Sequence, residues 1–290
     1  LISDQTYNPV IEQKNIVFGK SLDNSRYKFS HPSCIKYNDE IFFFSEKNNA
    51  KQFWHKKYMN QKPELCFNKF PATDIISNFP IEDCPKTLLD GLPTPIKPDS
   101  WKPFLYNNEI WLNWNSYFAH NEGWPQTDIH CRQHIGKFKD NQIQFIKEIN
   151  ISGLNDVEKN WCFFEHDKKI KFIQKLEPFT IGEIDIDKDL ISIQSHNIPI
   201  SKLTPGLKSI PSSNPILLDL DNWGKVWFLL YNTRLSLSEI TWSNLGPHKD
   251  SSNDLIMQHA LILDMNSLLP LASTKKPIIS FADNYSQQQY

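Results

Sequence analysis

Apolar and polar residues alternate along this chain in runs of strand length, and the runs come in pairs divided by a short polar turn. A period of two puts successive side chains on opposite faces of an extended segment, which predicts half-buried β-strands. The paired runs recur as HPSCIKYNDEIFFF (His31 to Phe44), SWKPFLYNNEIWLNW (Ser100 to Trp114), KNWCFFEHDKKIKFI (Lys159 to Ile173) and SNPILLDLDNWGKVWFLL (Ser213 to Leu230). Each opens on a polar cluster followed by Pro or an aromatic. Each turns at Asn-Asp, Asn-Asn, Asp-Lys or Asn-Trp-Gly, pairings that suit hairpin backbone angles.

Outer strands follow in HIGKFKDNQIQFIKEINI, IGEIDIDKDLISIQ and LIMQHALILDM. Strand-rich repeats separated by roughly the 40 to 50 residues of a propeller blade, plus insertions, predict an all-β, five-bladed β-propeller. Four blades are accounted for. The chain begins at Leu1 instead of Met and stops at Tyr290, where a fifth blade would follow. Residues 1–290 are therefore expected to form a single propeller domain, truncated at one or both termini, whose last blade is either completed by N-terminal strands before His31 or left incomplete. The Pro-rich stretch Pro85 to Asp99 reads as an extended connection between blades, and Asn115 to Gln133 carries an aromatic, polar insertion. One short helix is expected in Lys56 to Asn68; elsewhere the 19 prolines interrupt candidate helices.

Composition narrows the function classes. With 31 basic and 33 acidic residues the net charge is −2, which gives no electrostatic case for nucleic acid or an anionic membrane surface. No apolar run approaches the roughly 18 residues of a membrane span. The five cysteines (Cys34, Cys66, Cys84, Cys131 and Cys162) are scattered and odd in number, without CxxC spacing. That argues against a zinc site or a disulfide framework and for a reduced compartment, with the cytoplasm as the expected location.

Taken in order, the blade motifs resemble the five-bladed propellers of the β-mannoside phosphorylase and glycosidase group, and more remotely the arabinanase and β-fructosidase propellers. The resemblance implies chemistry at a central funnel, where a carboxylic acid protonates the leaving oxygen of a glycosidic bond and phosphate or water attacks the sugar. It implies an oligosaccharide or glycoside as partner, no cofactor, and inorganic phosphate as co-substrate in the phosphorolytic case. The group's acid stands just before a Pro-Arg pair at the second blade's inner strand. Here the matching stretch is Asp99-Ser100-Trp101-Lys102-Pro103, with the acid displaced and Lys102 ahead of the proline. Where the distant hydrolases carry an Asp at the first blade, this chain has His31-Pro32-Ser33.

Asp99, Glu158 and Glu177 are the candidate carboxylates, because cleavage needs at least one whose pKa is raised. Lys159 and Asn160 set an ammonium and an amide at the third blade start, suited to sugar hydroxyls or a phosphate; the plain alternative is a turn-forming pair. Ser213 and Asn214 carry the same two readings at the fourth. Trp101, Trp114, Trp124 and Trp161 offer flat faces for sugar rings or fill a propeller core, Trp101 and Trp161 flanking the blade starts. His130, Arg132 and His134 share one face of a strand. Without an acidic partner they are a poor metal set, and Arg132 is read as a sugar or anion contact. Lys102, Asn115, Asn232, His31 and His259 complete the substrate set, Lys102 as a direct sugar or phosphate contact and the histidines with a structural alternative, and Arg234 is a clamp for phosphate or carboxylate. Phosphate-loop, zinc-protease and nucleophile-elbow motifs are absent.

The leading expectation is thus a glycosidase or glycoside phosphorylase working in the funnel. Two rivals stand beside it: a non-catalytic glycan-binding propeller, and a scaffold for protein partners.

Overall fold

The computed structural model describes residues 27–49, 64–71, 88–90, 97–119, 129–149, 151, 159–188, 190–198, 200, 208–236, 254–274 and 277–280. Four sheets hold the strands found among them. The first comprises β1 (Tyr27–Tyr37), β2 (Glu40–Asn49) and β3 (Glu64–Pro71), in that order. The second comprises β4 (Leu88–Asp90), β5 (Lys97–Tyr106), β6 (Glu109–Ala119), β7 (Ile129–Lys139) and β8 (Gln142–Ile149), in the order β4-β8-β7-β6-β5. The third runs β12-β11-β10-β9, from β9 (Cys162–His166), β10 (Lys169–Leu176), β11 (Phe179–Asp185) and β12 (Leu190–His196). The fourth is built on β13 (Lys208–Pro211), β14 (Ile216–Leu220), β15 (Gly224–Ser236), β16 (Asp254–Asp264), β17 (Pro270–Ser273) and β18 (Ile279–Ser280). Its path is β13-β15-β16-β17, with β14 also on β15 and β18 also on β16. One compact unit ends at Ile170 and a second begins at Lys171, a boundary inside β10.

The four paired runs read from the sequence are the hairpins β1–β2, β5–β6, β9–β10 and β14–β15. The turns follow from local chemistry. Asn38 and Asp39, Asn107 and Asn108, Asp140 and Asn141, and Asp167 and Lys168 all have positive φ. Two left-handed residues in succession match the twist of the flanking strands, and Asn and Asp tolerate that region best. The β14–β15 turn instead closes on Gly224 at φ 65. Strand starts also share a device. The β1–β2 register shifts between Ser30 and Ser33, and the β5–β6 register between Asp99 and Lys102. Such bulges re-aim side chains near the end of a strand. Ser100 lies within the second bulge at φ 58, and Asn160 takes the same left-handed geometry, at φ 64, ahead of β9.

Two expectations change. The helix expected in Lys56 to Asn68 is strand over residues 64–68, where Leu65 and Phe67 alternate inward at 2 and 3 % exposure and pair with β2; residues 56–63 lie outside the described residues. The connection Pro85 to Asp99 is not wholly extended linker. Leu88–Asp90 form β4, parallel to β8, and β5 already begins at Lys97.

In the unit ending at Ile170, Phe44, Phe67 and Phe138 pack the first sheet onto the second. The Phe138 ring lies 5.2 Å from Phe44 and 5.0 Å from Phe67. Phe104 stacks on Phe163 at 5.8 Å, joining the second sheet to β9. In the unit beginning at Lys171, Phe172, Phe179, Leu229, Tyr231, Leu261 and Leu263 are buried.

Candidate functional site

The strongest concentration of polar chemistry lies where β5, β6 and β7 meet the entry to β9. Lys102 pairs with Asn113 across β5 and β6, and Asn115 pairs with Gln133 across β6 and β7. All four side chains are buried among aromatics. Burying an amide or an ammonium is costly unless it is hydrogen-bonded, so their partners carry the meaning. Gln133 donates to the Asn115 carbonyl oxygen, which also accepts the Asn160 backbone N–H at 3.1 Å. Asn113 donates its amide to the Trp161 carbonyl at 3.2 Å. Lys102 Nζ reaches the same carbonyl at 3.3 Å, the Asn160 carbonyl at 3.5 Å and Cys162 Sγ at 3.6 Å. Burial pushes the Cys162 thiol up, against the opposing pull of the Lys102 charge, so the sulfur is held as a neutral thiol.

Two consecutive residues, Asn160 and Trp161, are thus gripped through their backbones. The Asn160 side-chain amide, half-buried, makes no hydrogen bond among the described residues, and Lys159 beside it is exposed. Asp99 stands opposite Asn115 in the β5–β6 register. Two of the four blade starts singled out in the sequence, the second with Asp99 and Lys102 and the third with Lys159 and Asn160, therefore meet here around Asn115 of β6. Asn113 and Gln133 were missed. The signal was present in WLNWN, where two asparagines spaced by two in a strand must share a face; their apolar neighbours concealed it.

Other candidates fall elsewhere. Trp101 and Trp161 are 1 and 0 % exposed, and Trp101 lies 4.6 Å from Trp114, so both rings serve the core instead of presenting faces to a sugar. Trp114 is likewise buried, with His134 stacked on it at 5.7 Å. Arg132 and His134 do share a strand face, but it is the face opposite Asn115 and Gln133; Arg132 donates to the Cys131 carbonyl. Glu158 and Trp124 lie outside the described residues. His31, Asp99 and Arg234 are located by their backbones, in β1, β5 and β15.

In the unit beginning at Lys171, His259 is a satisfied structural histidine. Its Nδ1 meets the Thr274 carbonyl at 3.3 Å and its Nε2 the Thr233 hydroxyl at 3.2 Å, with Tyr231 stacked on the ring. The Thr274 carbonyl only accepts, so Nδ1 carries a hydrogen, whereas the Thr233 hydroxyl can serve Nε2 as donor or acceptor; burial lowers the ring's pKa and so favours the neutral form. Ser213 accepts the Leu230 N–H at 2.8 Å, which caps the strand entry, and Asn214 and Asn232 are half-buried. Glu177 is exposed. Burial raises the Tyr231 phenol, opposed by its hydrogen bond with Ser273 and assisted by the Glu177 charge. Among the described residues no three His, Cys, Asp or Glu side chains gather closely enough to hold a metal ion.

No family model and no curated protein matches the chain. Solved structures do. A mannose phosphorylase from Leishmania mexicana, in complex with a phosphate ion, aligns over 88 % of this chain and 71 % of its own at 8 % identity and TM-score 0.51. A GDP-Man-dependent mannosyltransferase from Leishmania mexicana aligns over 91 and 75 % at 10 % identity and TM-score 0.55. A structure from the GH130 family of mannoside phosphorylases, described as containing hydrolases that target β-1,2-mannosidic linkages in Candida mannan, aligns over 88 and 72 % at 9 % identity and TM-score 0.52. The likeness is one of fold. It bears out the resemblance to the mannoside phosphorylase and glycosidase group drawn from the blade motifs. No helix among the described residues is long and apolar enough to cross a membrane.

Proposed function

We propose that this chain is a five-bladed propeller, folded as a single domain, that acts on glycosidic bonds at the β5–β9 entry. The observation that carries the reading is the convergence of two blade-start residues, Asp99 and Asn160, on one buried amide, Asn115. Asp99 is in register with Asn115, and Asn115 holds the backbone of Asn160, whose own amide makes no hydrogen bond among the described residues. Asp99 is the proposed general acid, delivering a proton to the leaving oxygen as water or inorganic phosphate attacks the anomeric carbon. Glu158 and Glu177 are the alternative acids. Asn160 binds sugar hydroxyls, and the exposed Lys159 ammonium supplies charge for a phosphate nucleophile.

The decisive assay offers β-linked manno-oligosaccharides to the full chain with and without inorganic phosphate. Release of mannose, or of mannose phosphate when phosphate is present, is the expected result. Asp99→Asn should lower kcat by about 10²–10⁴ while ligand still binds. A specific observation favours a second reading, glycan binding without turnover: the described side chains at the cluster are amides, an ammonium and a thiol. Saturable binding with no product would select it. Neither binding nor turnover across a broad glycan panel would sink both.

A further inference from the structure

The Lys102 ammonium poses a physical problem. Its side chain is only 8 % exposed, and its hydrogen-bond partners among the described residues are two carbonyl oxygens and a thiol, with no carboxylate. Desolvating a cation without a counter-ion is expensive, and an apolar side chain of similar length would fill the same space at less cost. Its three hydrogens nonetheless have three acceptors, all contributed by the consecutive residues Asn160, Trp161 and Cys162. Asn113 joins it on the Trp161 carbonyl, and Asn115 holds the Asn160 N–H from the other side. The segment so gripped contains a left-handed non-glycine residue, Asn160 at φ 64, a conformation that costs free energy unless its surroundings fix it.

We infer that Lys102 is a positioning residue: with Asn113 it clamps the backbone of Asn160 and Trp161, holds Asn160 in its left-handed conformation, and so fixes the orientation of the Asn160 amide for a ligand it does not itself touch. This departs from the expectation that Lys102 contacts sugar or phosphate directly. Its hydrogens are engaged inside the protein, and the residue is retained for geometry at the expense of stability. The assignment of a glycoside to Asn160 rests on the function proposed above, whereas the clamp does not.

Hydrogen exchange separates the two. In Lys102→Met the amides of Asn160, Trp161 and Cys162 should exchange about fivefold faster or more, with those of β10 unchanged, because one net hydrogen bond corresponds to about 1 kcal/mol. The thermal midpoint should stay the same or rise, since a buried charge has been removed. Lys102→Arg, which keeps donors for both carbonyls, should restore protection. Unchanged exchange at 160–162, or acceleration spread evenly over all strands, would overturn the clamp, and Asn113→Leu provides a second variant with the same expected local signature. Calorimetric titration with β-mannobiose then tests the consequence. Lys102→Met and Asn160→Ala should weaken binding by similar factors, and wild-type affinity in Lys102→Met alongside fast exchange would refute positioning. If the wild-type protein binds no mannoside while the exchange pattern holds, the glycoside assignment fails and the clamp stands.

Discussion

His134 shows how burial alone sets a residue's chemistry. It is fully enclosed, stacked on Trp114, with Nε2 3.3 Å from Glu148. Burial lowers its pKa from 6.5 to about 4 despite a backbone hydrogen bond at Arg132 that acts the other way, so near neutrality it is a neutral ring that faces Glu148. Between those two values the unfolded chain binds a proton that the folded chain refuses. Stability should therefore fall as pH drops from 6.5 towards 4 and level off below, by up to about 3 kcal/mol for a shift of this size. His259, lowered in the same direction by burial, adds a component of the same sign. Urea unfolding of wild type and His134→Gln across this interval would read the effect. The variant should show a flatter profile, and parallel profiles would remove His134 from the account.

At the scale of elements, the hairpins were legible in the sequence because their signals are local: alternation within a few residues, and Asn or Asp where two left-handed residues are needed. What was not legible came from distant partners. Leu88–Asp90 is strand only because β8 offers its edge, and Leu65 and Phe67 are strand because β2 lies beside them. The same limit applied to the site. Lys102 and Asn160 were recognisable as blade-start polar residues, whereas the burial of Trp101 and Trp161 depends on what packs over them. Close packing gives a sharp prediction at Gly182 on β11, where a Cβ would come within 2.1 Å of the buried Phe172 ring. Gly182→Ala should destabilise the protein by about 1–3 kcal/mol, measured by chemical denaturation. At the turns, Asn108→Val, which sets a β-branched residue at φ 56, should cost about 1–3 kcal/mol. Asn108→Gly should be nearly neutral by the same measurement.

For the whole molecule, the proposed single propeller predicts cooperative unfolding. Scanning calorimetry should give one transition whose calorimetric and van't Hoff enthalpies agree. Two resolved transitions would mean that the units meeting at Ile170 and Lys171 melt independently. Phe44→Ala, which opens a void beneath Phe67 and Phe138, should cost about 3–5 kcal/mol. One local feature bears on the design of the entire chain. Ser100-Trp101 and Asn160-Trp161 each set a left-handed residue before a buried indole, and each leads into a hairpin closed by two left-handed residues. The second and third repeats therefore share these backbone features at the same spacing, residues 100 and 107–108 matching 160 and 167–168, and differ in the functional groups mounted on them. A single exchange such as Asn160→Ser would put at the third repeat the residue type that already occupies the left-handed step of the second, changing the group presented while keeping the step and the turn. A fold assembled this way lets recognition be rewritten one cassette at a time.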